Sequence, residues 1–268
     1  MVEIFDNIRK IYTFSPPCEA LRDYVEFFSE SSAEATGLYF NNCGFNVRMF
    51  ASYTPTFWIN LGPAYRLNIN GHLNTIPSGN DILVVRDGVT ERINHPADHI
   101  FTVKFFPGGL EAVLGVSQAG MGGQAVWLSK VLPVPLLLQV KQAADFITRM
   151  HLLQQYFLQQ LTKIKAGYYI GIVRDTIAVY RQGELQYNVS QLAARAFVTS
   201  KSINRYFSRV VGITPKQYLS VLRARTALSA FIQDSSSFTP EDFGYYDVSH
   251  FYRGITKFTG RKLTLHRA

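Results

Sequence analysis

Cysteine is nearly absent: Cys18 and Cys43 are the only two in 268 residues. Two thiols cannot furnish a four-ligand zinc centre. No segment reads as an export signal either, since MVEIFDNIRK opens acidic and polar. Both cysteines are therefore expected to be reduced thiols in a cytoplasmic chain. Long apolar runs are missing as well. VLPVPLLLQV at 131–140 is the most apolar window, and it is too short and too proline-rich to span a bilayer, so no membrane partner is expected. Gly-rich phosphate loops, a GxSxG elbow and paired carboxylates are all lacking. No catalytic residue, no cofactor and no enzymatic reaction are expected. Charged residues make up only 17% against 47% hydrophobic, the balance of a chain that folds around a core. Its length suits two domains.

Acidic residues are withheld from one half. Residues 1–164 hold 12 Lys and Arg against 13 Asp and Glu, a net of −1. Residues 165–268 hold 15 against 6, a net of +9, and the two sum to the +8 of the whole chain. All the excess positive charge lies in the C-terminal part, the footprint of a polyanion binder. Charge alone is equally a solvated basic surface. The helix pattern has to decide.

From about 38 to 106 the chain reads as strands. TFWINLG (56–62), YRLNING (65–71), DILVVRDG (81–88) and IFTVKFF (100–106) are β-branched and aromatic, and Gly, Pro and Asn punctuate them. Several short strands at this spacing predict an antiparallel sandwich or small barrel. Ahead of it, Cys18 to Phe28 reads as a short amphipathic helix entered through Pro16-Pro17. After Pro135 the period changes. Leu136, Val140, Ala143, Ile147, Met150, Gln154, Phe157, Leu161 and Ile164 follow steps of four and three, one seam of a long helix or of two with a break near 149–151. Such a stripe packs on its own domain or on a partner. Gln154 within it is the kind of polar residue that can fix register between paired helices, and a homodimer is expected by analogy alone, because proteins that bind nucleic-acid polyanions are so often dimers. The linker falls near Gly167, and the predicted domains are 1–164, ending in the helical linker 136–164, and 165–268.

Residues 188–212, NVSQLAARAFVTSKSINRYFSRVVG, read as two helices joined by a tight turn. Asn188 and Thr199 are N-caps. Val189, Leu192 and Ala193 face inward on the first helix, and Ile203, Tyr206, Phe207 and Val210 on the second, which Gly212 closes. The outward face of the second holds Lys201, Ser202, Asn204, Arg205, Ser208 and Arg209, with no acidic residue among them, as a helix in a major groove requires. A second unit spans 239–260. Thr239-Pro240-Glu241-Asp242 resembles a capping box. Beyond it a helix turns Phe251, Ile255 and Phe258 inward and Val248, Ser249, Tyr252 and Arg253 outward. A long helix at 214–233, carrying Arg223 and Arg225, connects the two.

The run LA(x)5TS(x)2I(x)RYF, GITPKQYL, R(x)3A and GYYDVSHFYR(x)6TG resembles the DNA-binding module of the AraC/XylS family of bacterial transcription regulators, over roughly 168–267. Stretches PPCEALRDYVEFF, TPTFWINLG and VKFFPGGLEAVLGV resemble a β-rich N-terminal domain of some members, a sensor or dimerisation unit. The fold class expected is α+β, a β-rich sandwich or barrel with flanking helices followed by an all-α double helix-turn-helix domain. The resemblance implies double-stranded DNA, a small-molecule effector and, as a further candidate, RNA polymerase as partners of a nucleoid-associated protein. It places base contacts on Lys201, Asn204 and Arg205, beside Ser202, and on Val248, Ser249, Tyr252 and Arg253. Three departures stand out: Leu263 where proline is usual, Gly254-Ile255 for an apolar-Phe pair, and DSSSFTPEDFG as poor material for the helix that braces the second recognition helix.

Arg suits guanine and Asn adenine. Arg209, Lys216, Arg223 and Arg225 read as phosphate contacts or solvated charge, and the helix N-termini capped by Asn188 and Thr199 could receive a phosphate. For an effector, Trp58, Tyr65, Arg66, Phe101, Lys104 and Phe106 lie on predicted strands and could line a pocket, although each is equally core or surface. The alternative reading is a metabolite-binding β-barrel of the cupin type, or an enzyme, with an accessory basic domain. Cupin metal ligands follow HxH(x)3–4E. Neither His72 nor His95-Pro-Ala-Asp-His99 has that spacing, and no metal is expected.

Overall fold

The computed structural model describes residues 2–6 and 8–263. Residues 264–268, the end of the second predicted domain, lie outside the described residues. The β-branched and aromatic runs become strands and their turn-formers become corners. In chain order these are β1 (Tyr12–Ser15), β2 (Val25–Ser31), the helix α1 (Ala33–Tyr39), β3 (Phe45–Met49), β4 (Pro55–Asn60), β5 (Tyr65–Ile69), β6 (His72–Ile76), β7 (Ile82–Val85), β8 (Thr90–Asn94) and β9 (Ile100–Phe105). α2 (Gly109–Leu114), β10 (Ala125–Trp127), α3 (Val134–Gln142) and α4 (Phe146–Leu161) follow. Asn70-Gly71 joins β5 to β6 in a two-residue turn with φ of 51° and 90°. Positive φ at both positions is what a type I′ hairpin demands.

The strands form two antiparallel sheets, ordered β1-β2-β9-β4-β7-β10 and β3-β8-β5-β6. The six-stranded sheet is covered on both faces, which is why β4 and β7 are buried at every position and show no alternation. One face meets the smaller sheet, with Trp58, Ile82 and Val84 packed against Val47, Leu67 and Ile69. The other receives α2, α3 and α4, where Phe57, Leu83, Val103 and Phe105 meet Leu110, Val140, Met150, Leu153 and Phe157.

Three expectations are corrected here. Cys18 to Phe28 is not a helix: a single 3-10 turn, Glu19–Leu21, leads into β2. β2 has a partner on each side, β1 and β9. A run as β-prone as Val25-Glu-Phe-Phe28 satisfies its backbone there rather than in a helix. The break between the C-terminal helices of this half falls at 143–145, not 149–151, because the Asp145 carboxylate caps α4, its Oδ1 accepting from the Thr148 N–H at 2.8 Å. The seam itself is internal packing. Met150, Leu153 and Phe157 are buried against the chain's own sheet, whereas Ile147 is 49% exposed. Gln154 Oε1 accepts from the Cys18 N–H at 2.6 Å and anchors the segment ahead of β2.

Beyond the linker come α5 (Tyr168–Gln182), α6 (Val189–Arg195), α7 (Ser200–Val210), α8 (Pro215–Gln233) and α9 (Val248–Thr259). They are built around two cores rather than one. Ile170, Val173, Ile203, Phe207, Val210 and Leu219 unite α5 to α7 with the first half of α8. Ala227, Leu228, Phe231, Phe251 and Ile255 unite the second half of α8 with α9. No helix among the described residues is long and apolar enough to cross a membrane.

Candidate nucleic-acid interface

α6 opens on a complete capping box. The Asn188 side chain accepts from the Gln191 N–H at 3.0 Å, and Gln191 Oε1 accepts from the Asn188 N–H at 2.8 Å. The chain then reverses through 196–198, where Phe197 takes a φ of 54° and is 96% exposed. That is a left-handed conformation which an aromatic residue adopts rarely. Thr199 Oγ1 accepts from the Ser202 N–H at 3.1 Å and starts α7. Four residues at helical spacing, Ile203, Tyr206, Phe207 and Val210, are buried. The opposite face therefore points outward, with Lys201, Asn204, Arg205, Ser208 and Arg209 exposed and Ser202 half-buried.

Not all these side chains are idle. Asn204 Nδ2 donates to the Ser200 carbonyl at 2.7 Å. The Arg205 guanidinium lies 5.3 Å from the Tyr206 ring centre. Arg209 stacks over Tyr169 at 4.1 Å, and the Tyr169 hydroxyl donates to Glu111 Oε1 at 2.6 Å. Lys216 stands exposed in the first turn of α8, which Thr214 and Gln217 cap reciprocally. Two arginines read from sequence as phosphate contacts are elsewhere. Arg223 Nη1 donates to the Gly244 carbonyl at 3.0 Å, with its guanidinium 5.0 Å from the Tyr245 ring. Arg225 points into the β-rich half, where its Nη2 donates to Glu3 Oε1 at 2.8 Å.

In the second unit the predicted capping box does not form. Pro240–Phe243 is one 3-10 turn, and the Thr239 side chain makes no cap bond. Gly244, in the left-handed region at φ 70°, ends it before a second helical turn can start. α9 is regular: Asp247 Oδ1 accepts from the His250 N–H at 2.6 Å, and Gly260 closes it at φ 72°. Val248, Ser249, Tyr252 and Arg253 are exposed, and Phe251 and Ile255 buried. The two odd residues of the pattern fit the packing. A Cβ on Gly254 would stand 2.8 Å from the Tyr245 ring, so only glycine admits that ring. Leu263 is 3% exposed, in the same core as Ile255.

Between the sheets lies a cavity of about 450 Å³, walled in part by Tyr12, Phe14, Phe27 and Trp58. Five basic side chains line it, Arg9, Arg86, Arg92, Lys104 and Arg225, against the acidic Glu3 and Glu26. A smaller space of about 200 Å³ shares Glu26, Lys104, Arg225 and Ser229 with it and reaches Phe106, Arg181 and Tyr218. Lys104 Nζ sits 2.9 Å from Glu26 Oε2; burial pushes its ammonium below the usual range, and Glu26 pulls it part of the way back. Arg92 is held between the Trp58 and Tyr65 rings and donates to the Tyr12 hydroxyl at 2.7 Å.

Of the six residues read as a pocket, Trp58 and Lys104 line the larger cavity, and Lys104 and Phe106 the smaller. Tyr65 belongs to the intersheet core, Arg66 is exposed on the outer face of β5, and Phe101 packs on the helix side of the larger sheet. These three do not line the cavities. Sequence reasoning missed Tyr12, Phe14 and Phe27, because β1 and β2 were not read as strands. It also missed Glu3 and Arg86. A charged residue in the run ILVVRDG was a visible signal for Arg86, but nothing local joins it to Glu3. Among the described residues no group of three or more His, Cys, Asp and Glu is placed to hold a metal. His99 Nε2 lies 2.8 Å from Glu30 Oε1, which also accepts from Arg149.

Residues 192–267, from α6 through α9, match the helix-turn-helix domain family. The chain carries a helix-turn-helix domain over these residues. No curated protein matches the sequence. Among solved structures it is similar to ToxT from Vibrio cholerae, with 8% identity and a TM-score of 0.48 over 84% of this chain and 97% of that one. It is similar also to ToxT bound to an unsaturated fatty acid, at 8% identity and a TM-score of 0.44, covering 82% and 91% of the two chains. The AraC-like transcriptional activator CuxR gives 9% identity and a TM-score of 0.29 over 84% and 88%.

Proposed function

We propose that this protein is a sequence-specific DNA-binding transcription regulator whose β-rich half, ending near 164, binds a small-molecule effector. The observation that carries the reading is the acid-free outward face of α7, presented by a helix-turn-helix domain in a region of net charge +9. Lys201, Ser202, Asn204 and Arg205 read bases in one major groove, and Val248, Ser249, Tyr252 and Arg253 in the next. Arg209, Lys216 and the helix N-termini capped by Asn188 and Thr199 hold phosphates. Such a partner puts the protein in the cytoplasm. An effector in the intersheet cavity would be anionic, since the five basic side chains there outnumber the three carboxylates paired with them, Glu3, Glu26 and Asp98. The competing reading, a β-barrel with a merely basic tail, is disfavoured because the tail is a defined helix-turn-helix domain. The expected homodimer keeps only the analogy with other DNA readers, now that the α4 seam is internal.

A salt titration of DNA binding by the full chain tests the reading. Log affinity is expected to fall linearly with log salt, with a slope reflecting on the order of five or more neutralised phosphates. A flat response would sink the assignment. Separate substitutions divide readout from affinity. Arg205→Ala is expected to cost about 1–3 kcal/mol and to relax preference at one base pair, whereas Lys216→Ala weakens all sequences alike and lowers the salt slope by about one. Uniform loss from Arg205→Ala, measured on a panel of single-base operator variants, would remove Arg205 from base reading.

A further inference from the structure

The two reading units are supported differently. In the first, α6 braces α7, and the shared core draws its buried residues from α5 to α8 with the small Ala112 from the β-rich half, on which Tyr24 and Tyr53 of that half also pack. In the second, the element that stands where α6 stands in the first is the 3-10 turn Pro240–Phe243, which buries only Pro240. A turn that short offers no apolar stripe to a neighbouring helix. Phe231 of α8, Phe238 and Tyr245 pack on Phe251 of α9, and further support comes from the other end of the chain. Phe50, just past β3, is fully buried in one cluster with Leu228, Phe231, Phe251 and Ile255, and its ring centre lies 5.1 Å from that of Phe258. Ile4 and Phe5 pack on the same cluster.

Polar contacts fix this junction. Arg48 Nη2 donates to the Thr259 carbonyl at 3.4 Å, in the last turn of α9, where helix carbonyls lack partners of their own. Glu3 is the hub. Its Oε2 accepts from the Phe50 N–H and from Arg86 Nη1, both at 2.9 Å, and its Oε1 accepts from Arg225 of α8 at 2.8 Å. Arg225 also donates to the Ala51 carbonyl at 3.2 Å.

We propose that Phe50, with the segment around Glu3, is a positioning element for the second recognition helix, so that base reading by Ser249, Tyr252 and Arg253 depends on the β-rich domain. α7 also touches the β-rich half, where Gln118 Nε2 donates to the Val211 carbonyl at 3.4 Å, but it is braced by α6 in a core that Phe50 does not enter, and so does not share the dependence on Phe50. Glu3, Ile4 and Arg225 line the intersheet cavity as well. An occupant of that cavity therefore touches the support of α9 directly, and its effect falls on the second half of the operator.

This inference rests on the DNA-reading function proposed above, and footprinting of the full chain on a selected two-part operator tests the two separately. The wild-type chain is expected to protect two stretches about ten base pairs apart. Phe50→Ala is expected to abolish protection and base preference at the second stretch and to weaken binding to the whole operator about 5- to 150-fold, the equivalent of losing one base-pair readout. The first stretch keeps its protection and preference, and Phe50→Leu restores most of the loss. Arg48→Ala, which removes one donor and no core volume, is expected to act in the same selective direction with smaller amplitude, on protein whose circular dichroism spectrum matches wild type. Equal loss at both stretches by Arg48→Ala, no change from either alanine variant, or tighter binding when the support is removed would overturn the inference. A wild-type footprint confined to the first stretch would overturn it too. A wild type with no sequence-specific footprint would instead remove the functional reading, and this inference with it.

Discussion

Replacing Phe157 by alanine is expected to lower the stability of the folded chain by about 3–5 kcal/mol, the range for removing a large buried aromatic. Phe157 has no exposure and meets Phe57 and Phe105 of the sheet, with ring centres 6.4 and 5.6 Å away. The loss combines the transfer of the ring to water with the void left beside two other aromatic rings. Ile147, on the same seam but half exposed, is the control: its replacement by aspartate is expected to change stability by no more than about 0.5 kcal/mol. Denaturant titration of both variants reads the difference. The pair also separates folding from association. A Phe157 variant that sediments differently reports unfolding, whereas an Ile147 variant that does so while staying folded would reveal a partner on that face. Equal, small stability losses in both would mean that α4 does not pack on the sheet.

Glu3→Gln is expected to be comparably severe, about 3–5 kcal/mol, because it leaves Arg86 and Arg225 buried without their shared carboxylate. The Arg86 side chain is only 7% exposed and that of Arg225 21%, so water replaces little of what is lost. Burial alone would raise the Glu3 carboxyl. The charges of Arg225 and then Arg86, with hydrogen bonds from Arg225 and the Phe50 N–H, outweigh it and hold the group well below the usual carboxylate range. At Arg225 the carboxylate likewise outweighs burial, whereas at Arg86 burial prevails; both guanidinium groups stay protonated. Because the folded value is depressed, this stabilisation is complete above the ordinary glutamate value of 4.5 and fades as pH falls below it toward the folded value. Wild type is thus expected to lose more stability than Glu3→Gln between pH 6 and pH 3. Parallel losses in denaturant melts at the two pH values would show that Glu3 carries no such charge pairing.

Most of the candidate nucleic-acid interface was legible in the chain because its signals are local. Asn188 and Thr199 cap helices through bonds to backbone three residues on, and the inner faces of α7 and α9 follow from helical spacing. The strands between 45 and 105 were legible for the same reason, through β-branched runs and turn residues. β2 was misread because a short run with period ambiguity takes its form from the strands beside it, here β1 and β9. Periodicity likewise placed Met150 and Phe157 on one face of α4, but no spacing says whether that face meets a second chain or the chain's own sheet. The junction at Glu3 lies furthest from local reasoning. Its partner Arg225 is 222 residues away, and on a helix rich in outward polar residues an arginine reads as solvated. The chain by itself determined α7 and α9, their caps and the charge they present. Tertiary packing alone decided that Arg225 turns inward to Glu3 and that Phe50 is buried against α9, because burial and ion pairing depend on which distant surfaces meet.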